Sequence, residues 1–309
     1  MKWRITGVLV NILLLWASSA SAQQQLIYSQ YMFNGFAFNP AFAGSHEALS
    51  ITAAHRSQGA GAEGLPSFQS LSGHMPVEGK RVALGASLFR ESFDIVEQIG
   101  LQMAYAYRLP LRDGVLSLGV QGGFINTTKD FTDLPLWDPE DPEFADGTLA
   151  AFMPTFGAGV YYSAETFYFA FSIPQLGAFN RGQGNQEVVD IAEIRQYIFT
   201  TGYTANLNND VKFSPSLLVR VTEGLGVEID VNANMIVSET FWVGLSYRHN
   251  TSLNFITQLQ VTDQLRFGYA YDLETTNLRR VSSGNHEIML NYRFQLFSGS
   301  ERKVAPELF

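Results

Sequence analysis

The chain has 309 residues, of which 46% are hydrophobic, 13% aromatic and 16% charged, with 24 Phe and 27 Gly; it is too apolar for a disordered protein and too poor in charge for an ordinary soluble one. A net charge of −9 argues against gripping nucleic acid or an anionic membrane surface by charge. Cysteine is absent, which excludes disulfide frameworks, Cys-ligated zinc, iron–sulfur clusters, cysteine nucleophiles and a lipid anchor on a processed Cys.

Residues 1–22, MKWRITGVLVNILLLWASSASA, combine a short basic start, an uncharged apolar run over 5–16 and small residues ending at Ala22. This is the three-part layout of a secretory signal peptide, with cleavage expected after Ala22. A retained anchor helix is the alternative, but the run is short for a bilayer span and no stop-transfer charges follow it. Residues 23–46 then form an aromatic-rich segment that holds Tyr28, Tyr31, Phe33, Phe36, Phe38 and Phe42.

From residue 47 onward the hydrophobic pattern has a period of two. Ile99, Leu101, Met103, Tyr105 and Tyr107 alternate with Gly100, Gln102, Ala104, Ala106 and Arg108, so one face of a strand is greasy and the other small or polar. The pattern returns at Leu225, Val227, Ile229 and Val231, at Leu265, Phe267, Tyr269 and Tyr271, and at Ile288, Leu290, Tyr292, Phe294 and Leu296. The longest weakly charged stretch, 149–180, contains Pro154, Glu165 and Pro174 and predicts strands rather than a transmembrane helix.

A soluble sandwich and an outer-membrane barrel both alternate in this way. Three features favour the barrel. The segments are roughly 10 residues long, as tilted membrane strands require; Tyr and Phe gather near segment ends, as at Tyr161-Tyr162 and Phe241-Trp242; and the polar faces are rich in Gly and in charges of both signs. Candidate segments fall near 47–57, 67–75, 80–90, 97–108, 113–124, 149–162, 166–173, 193–205, 210–222, 224–236, 240–249, 252–261, 264–273 and 285–297. The expected fold is therefore all-β: one transmembrane antiparallel outer-membrane β-barrel of about 14 strands over 47–297, followed by a C-terminal tail at 298–309. An even count returns both termini to the periplasmic side, and closure spares the sheet an unpaired edge in hydrocarbon. Polar, turn-rich inserts at 125–148 and 177–192 are expected to be loops.

Candidate chemistry is sparse. Gly59-Ala60-Gly61-Ala62-Glu63-Gly64 matches G-x-G-x-x-G, but a strand and not a helix follows, so the match predicts a hairpin loop. The acidic run 138–147 (DPEDPEFADG) offers hard oxygen ligands without the alternating spacing of a calcium loop, and its prolines are turn makers. The five histidines, His46, His55, His74, His249 and His286, sit on separate segments. His286-Glu287 lacks a second His at position 290, and no G-x-S-x-G elbow is present. No catalytic residues, cofactor or metal are expected.

The charges that alternation assigns to the lumen are Arg108, Arg220, Glu228, Asp230, Arg248, Arg266, Asp272, Glu287 and Arg293. They suit either solute selection in a pore or a salt-bridged, plugged interior, and the second is preferred because intramembrane charges usually pair. The aromatic segment 28–44 carries more apolar surface than a periplasmic tail should expose. It is expected to pack into the lumen or to dock on a periplasmic partner.

Several stretches carry a family resemblance: SQYMFNGFAFNPAFAGS (29–45), LPSFQSLSGHMPVEGKRVALGASLF (65–89), AYAYRLPL (104–111) with LSLGVQGGF (116–124), FGAGVYYSAETFYFAFSIPQL (156–176) and, most closely, GYAYDLETTNLRRVSSGNHEIMLNYRF (268–294). Together they resemble the PorP/SprF family of type IX secretion system membrane proteins over most of the mature chain, least so at 177–235. Where that family usually has an aromatic after the Gln of its first hairpin, Gln58 is followed here by Gly59. The resemblance implies an outer-membrane protein of Bacteroidota, without cofactor, that works with periplasmic and outer-membrane secretion or gliding components for a large secreted surface client. The alternatives are a porin or transporter for small solutes and, with least support, an outer-membrane enzyme.

Overall fold

The computed structural model describes residues 28–59, 64–132, 147–178, 195–276 and 283–294. The expected signal peptide, the centre of the Gly-rich hairpin, the acidic run 138–146 and the tail 298–309 lie outside the described residues.

Strong alternation produces strands β1 (Leu49–Ser57), β2 (Ser67–Pro76), β3 (Val82–Phe93), β4 (Val96–Leu111), β5 (Gly114–Asp130), β6 (Thr148–Ala164), β7 (Phe167–Ala178), β8 (Gln196–Tyr203), β9 (Ala205–Asn206), β10 (Val211–Thr222), β11 (Gly226–Val237), β12 (Phe241–Arg248), β13 (Ser252–Gln260), β14 (Leu265–Glu274) and β15 (Asn285–Phe294). β8 and β9 are one stave interrupted at Thr204, since both pair with β10. Counted so, fourteen antiparallel staves follow one another in chain order, and the sheet closes where β15 pairs with β1. Each of the fourteen segments expected from the sequence corresponds to one stave. Closure leaves no strand edge unpaired, the condition for crossing hydrocarbon as a sheet.

The barrel is apolar outside and polar inside. Along β11 and β12 the outward residues are Val227, Ile229, Val231, Phe241, Val243, Leu245 and Tyr247, whereas Glu228, Asp230, Asn232, Asn234, Ser246 and Arg248 are buried in the lumen. A soluble sandwich would bury the first set and wet the second. In a membrane barrel, lipid covers the outside and the lumen receives the polar side chains.

Two expectations change in the structure. Tyr161 and Trp242 do not belong to an outer aromatic girdle, because both are buried in the lumen. Neighbours on a strand point to opposite faces, so only Tyr162 and Phe241 of those two pairs look outward. The segment 125–130, expected to start a loop, continues β5 and stays paired with β4 and β6. Its outward residues Asn126 and Thr128 are polar, so the hydrophobic alternation fades although the ladder persists. Beside them on the outer face, Arg90 and Glu97 form an ion pair at 2.5 Å, which marks where the lipid-facing band of β3–β5 ends. On β4 the outward apolar residues run from Leu111 to Ile99, long enough for a tilted strand to cross the hydrocarbon.

The two ends of the barrel differ. At the end where Leu49 meets Phe294, the connections 77–81, 112–113, 165–166, 207–210, 238–240 and 261–264 are all short. The opposite end carries the longer connections 58–66, 131–147, 179–195 and 275–284. Outer-membrane barrels keep short turns in the periplasm and longer loops outside, so the end with Leu49 and Phe294 faces the periplasm.

Candidate functional site

The lumen is filled by the chain's own residues 28–47. Three short 3-10 turns, η1 (Tyr31–Phe33), η2 (Gly35–Ala37) and η3 (Pro40–Phe42), fold this segment compactly. Asn39 caps the last of them by accepting the Ala41 N–H at 2.9 Å, and Pro40 takes the first position of the turn, where a missing N–H costs nothing. Of the six aromatics singled out in the segment, Tyr28, Tyr31, Phe33, Phe36 and Phe42 are buried and Phe38 is partly buried against them.

The segment runs down the lumen from the extracellular half to the periplasmic mouth. Tyr28 donates to Ser70 Oγ on β2 at 2.6 Å. Gln30 accepts from Gln258 Nε2 on β13 at 3.0 Å, and Asn39 donates to the Val160 carbonyl on β6 at 3.0 Å. The Phe42 ring packs 5.1 Å from Tyr161. At the mouth, the Gly44 N–H donates to His74 Nδ1 at 3.1 Å and Glu47 pairs with Arg108.

Inward-facing glycines make the room. A Cβ on Gly85 would strike the Phe36 ring, one on Gly119 the Pro40–Ala41 backbone, one on Gly159 the Asn39 side chain and one on Gly268 the Gln30 side chain. The glycine-rich polar faces of the strands are thus the cradle of this plug. Gly119 is the most demanding position, because the atoms it faces are backbone and no rotamer change relieves the clash. Gly119→Val is therefore expected to expel η3 while the strand ladder survives, at a cost beyond the usual 1–3 kcal/mol of overpacking. Limited proteolysis of the purified barrel checks this: faster cleavage within 35–44 is the expected result, and an unchanged rate counts against the cradle.

Buried charges hold the other end of the plug. Arg56 on β1 meets Asp272 on β14 at 2.5 Å and Glu287 on β15 at 3.2 Å, with all three side chains 1% exposed or less. Glu287 also accepts the N–H of Ser29 at 2.7 Å and of Gln30 at 3.1 Å, and Ser29 Oγ donates to Asp272 at 2.7 Å. Beside this group, Arg220 pairs with Glu228 at 2.7 Å, and Arg248 with Glu228 at 3.1 Å and Asp230 at 3.2 Å. Three guanidinium groups thus face four carboxylates. The surplus negative charge falls where the plug supplies two amide N–H groups, which desolvated carboxylates require, so the plug completes the electrostatics of the lumen.

Of the nine charges expected in the lumen, Arg220, Glu228, Asp230 and Arg248 form one cluster, and Asp272 and Glu287 form another with Arg56. Arg108, Arg266 and Arg293 stand apart, towards the periplasm. Arg266 lies 4.3 Å over the Trp242 ring and donates to Gln260 at 2.8 Å, and Arg293 reaches Asn291 at 3.1 Å and His46 at 3.4 Å. Sequence reasoning missed Arg56, Glu47, Ser29 and Gln30. Arg56 was findable, since it shares the polar phase of β1 with Ser50, Thr52 and Ala54, and Glu47 opens the expected first segment; Ser29 and Gln30 precede it, where no periodicity points at the lumen.

A family model described as the type IX secretion system membrane protein PorP/SprF matches residues 20–292. No curated protein matches the chain. Among solved structures, the Ralstonia pickettii toluene transporter TbuX is 11% identical, with 89% of this chain and 97% of that one covered and a TM-score of 0.48. The Acinetobacter baumannii outer membrane protein Omp33 is 9% identical, with coverage of 81% and 100% and a TM-score of 0.44.

Proposed function

This chain belongs to the PorP/SprF family of type IX secretion system membrane proteins, and from that premise we propose that its outer-membrane barrel works as a closed, non-enzymatic scaffold for secretion. In this reading the protein is exported on a cleaved signal peptide. Its periplasmic turns and plug mouth engage periplasmic and outer-membrane secretion components, and its extracellular loops hold a large secreted client, as in surface anchoring or gliding. The observation that carries the reading is the filled lumen. A pore needs a continuous aqueous path, whereas residues 28–47 occupy the lumen from the Arg56 cluster down to the Arg108–Glu47 pair. A solute-channel role has no comparable support, and a likeness of fold to transporters does not carry function.

Deleting the gene in its host and comparing surface and medium proteins with the parent strain tests the proposal. Loss of one or several large secreted proteins, restored by the intact gene, is the expected result and identifies the client. An unchanged secretome with altered solute uptake would overturn it.

A further inference from the structure

On the extracellular side, beside Tyr28 and above Phe38 of the plug, a cavity of about 110 Å3 opens against the inner faces of β2, β3, β4, β7, β8 and β10. At ~10–15 Å3 per water-sized group it holds roughly eight such groups. That is room for one sugar ring, and far too little for a folded module.

The chemistry of its walls is specific. Phe68 and Phe89 lie nearly parallel, 13° apart with centroids at 5.8 Å, and Tyr28 meets Phe68 edge-on at 5.1 Å, so that these three aromatic rings line the cavity. Gln121 donates both to the Pro174 carbonyl and to Gln102 Oε1, each at 3.0 Å, which sets the orientation of both amides. With its oxygen engaged, Gln102 offers its NH2 to the cavity that it lines. Arg220, also on the wall, spends one terminal nitrogen on Glu228 and has its Nε shut off from the cavity, which leaves its other terminal NH2 as the donor toward the cavity that it lines.

Charge selects among ligands. Glu228 already answers Arg220, and Glu91 adds a second carboxylate in its field, so an anion gains little here. The walls suit a neutral group that carries one apolar face and several oxygen acceptors at its edge. We propose that this vestibule is a binding site for a single neutral pyranose ring, seated on Phe68 and Phe89 and hydrogen-bonded by Gln102 and Arg220. The ring is either a free monosaccharide or the terminal unit of a surface glycan, since the two share this chemistry.

The full mature protein, folded in a polyoxyethylene detergent without sugar headgroups, tests the site by saturation-transfer NMR against glucose, galactose, mannose and N-acetylglucosamine. Transfer to the ring protons of at least one sugar is expected, with affinity falling at least tenfold in Phe89→Ala. Gln102→Leu, which keeps the aromatic wall, should weaken binding similarly, and heat-modifiable gel migration verifies that both variants are folded. Methyl glycosides that bind as well as the reducing sugar indicate a glycan terminus, and their failure indicates the free sugar; either outcome supports the site. No transfer from any of the four sugars, affinity unchanged in both variants, or tighter binding of N-acetylphenylalanine amide as a peptide probe overturns it.

Discussion

Removal of residues 28–46 from the mature chain is expected to convert a nearly silent barrel into a conducting one, with single-channel conductance in planar bilayers rising by about an order of magnitude or more. The closed hydrogen-bond ladder does not involve the plug, so the staves keep their pairing and the barrel keeps its place in lipid. What the deletion exposes is a lumen lined with Ser, Asn, Gln and charged residues, which water enters readily. It also strips the two amide donors from Glu287, so that this carboxylate must be solvated by the water that enters. If the deleted protein were folded and still silent, the plug would not be the closing element.

The second large effect falls on Arg56. Arg56→Ala leaves Asp272 and Glu287 facing each other in the lumen without their guanidinium. Removing one partner of a buried ion pair costs about 3–5 kcal/mol, because the remaining charge is desolvated and uncompensated. The loss should appear as a lower urea midpoint for unfolding in detergent micelles and as faster proteolysis near residue 29, since Arg56 also donates to Ser29 Oγ at 2.9 Å. The combined variant Arg56→Met, Asp272→Asn, Glu287→Gln should recover most of the midpoint, because replacing a whole buried ionic group is far cheaper than orphaning part of it. Arg90→Ala removes an exposed pair at the outer surface and should leave the midpoint unchanged, as exposed pairs contribute little. Equal shifts for Arg56→Ala and Arg90→Ala would mean that the lumen cluster is hydrated and carries no special load.

These contrasts separate what was legible in the chain from what was not. Period-two patterning located fourteen strands because lipid on one side and a polar lumen on the other impose opposite demands on alternate residues. It misassigned the end of β5, where the strand rises past the lipid and its outward residues Asn126 and Thr128 need not be apolar. It also read Tyr161 and Trp242 as girdle residues from clustering alone, although strict alternation places each on the opposite face from its neighbour. The aromatic surplus at 28–44 indicated that this segment must be covered, but not by what.

Fold class and family are legible along the chain: an all-β, antiparallel, membrane-spanning barrel with charges turned inward, and a family whose motifs run along most of its length. Those properties are local, repeated in every strand and enforced by the solvent on each face. Which charges meet and where the plug goes depend on how the barrel closes. Arg56, Asp272 and Glu287 lie far apart in sequence and adjoin because β1 pairs with β15 and β15 with β14. Ser29 and Gln30 join them because the lumen leaves room at Gly85, Gly119, Gly159 and Gly268. Such contacts follow from barrel closure and register, which no short window of sequence contains.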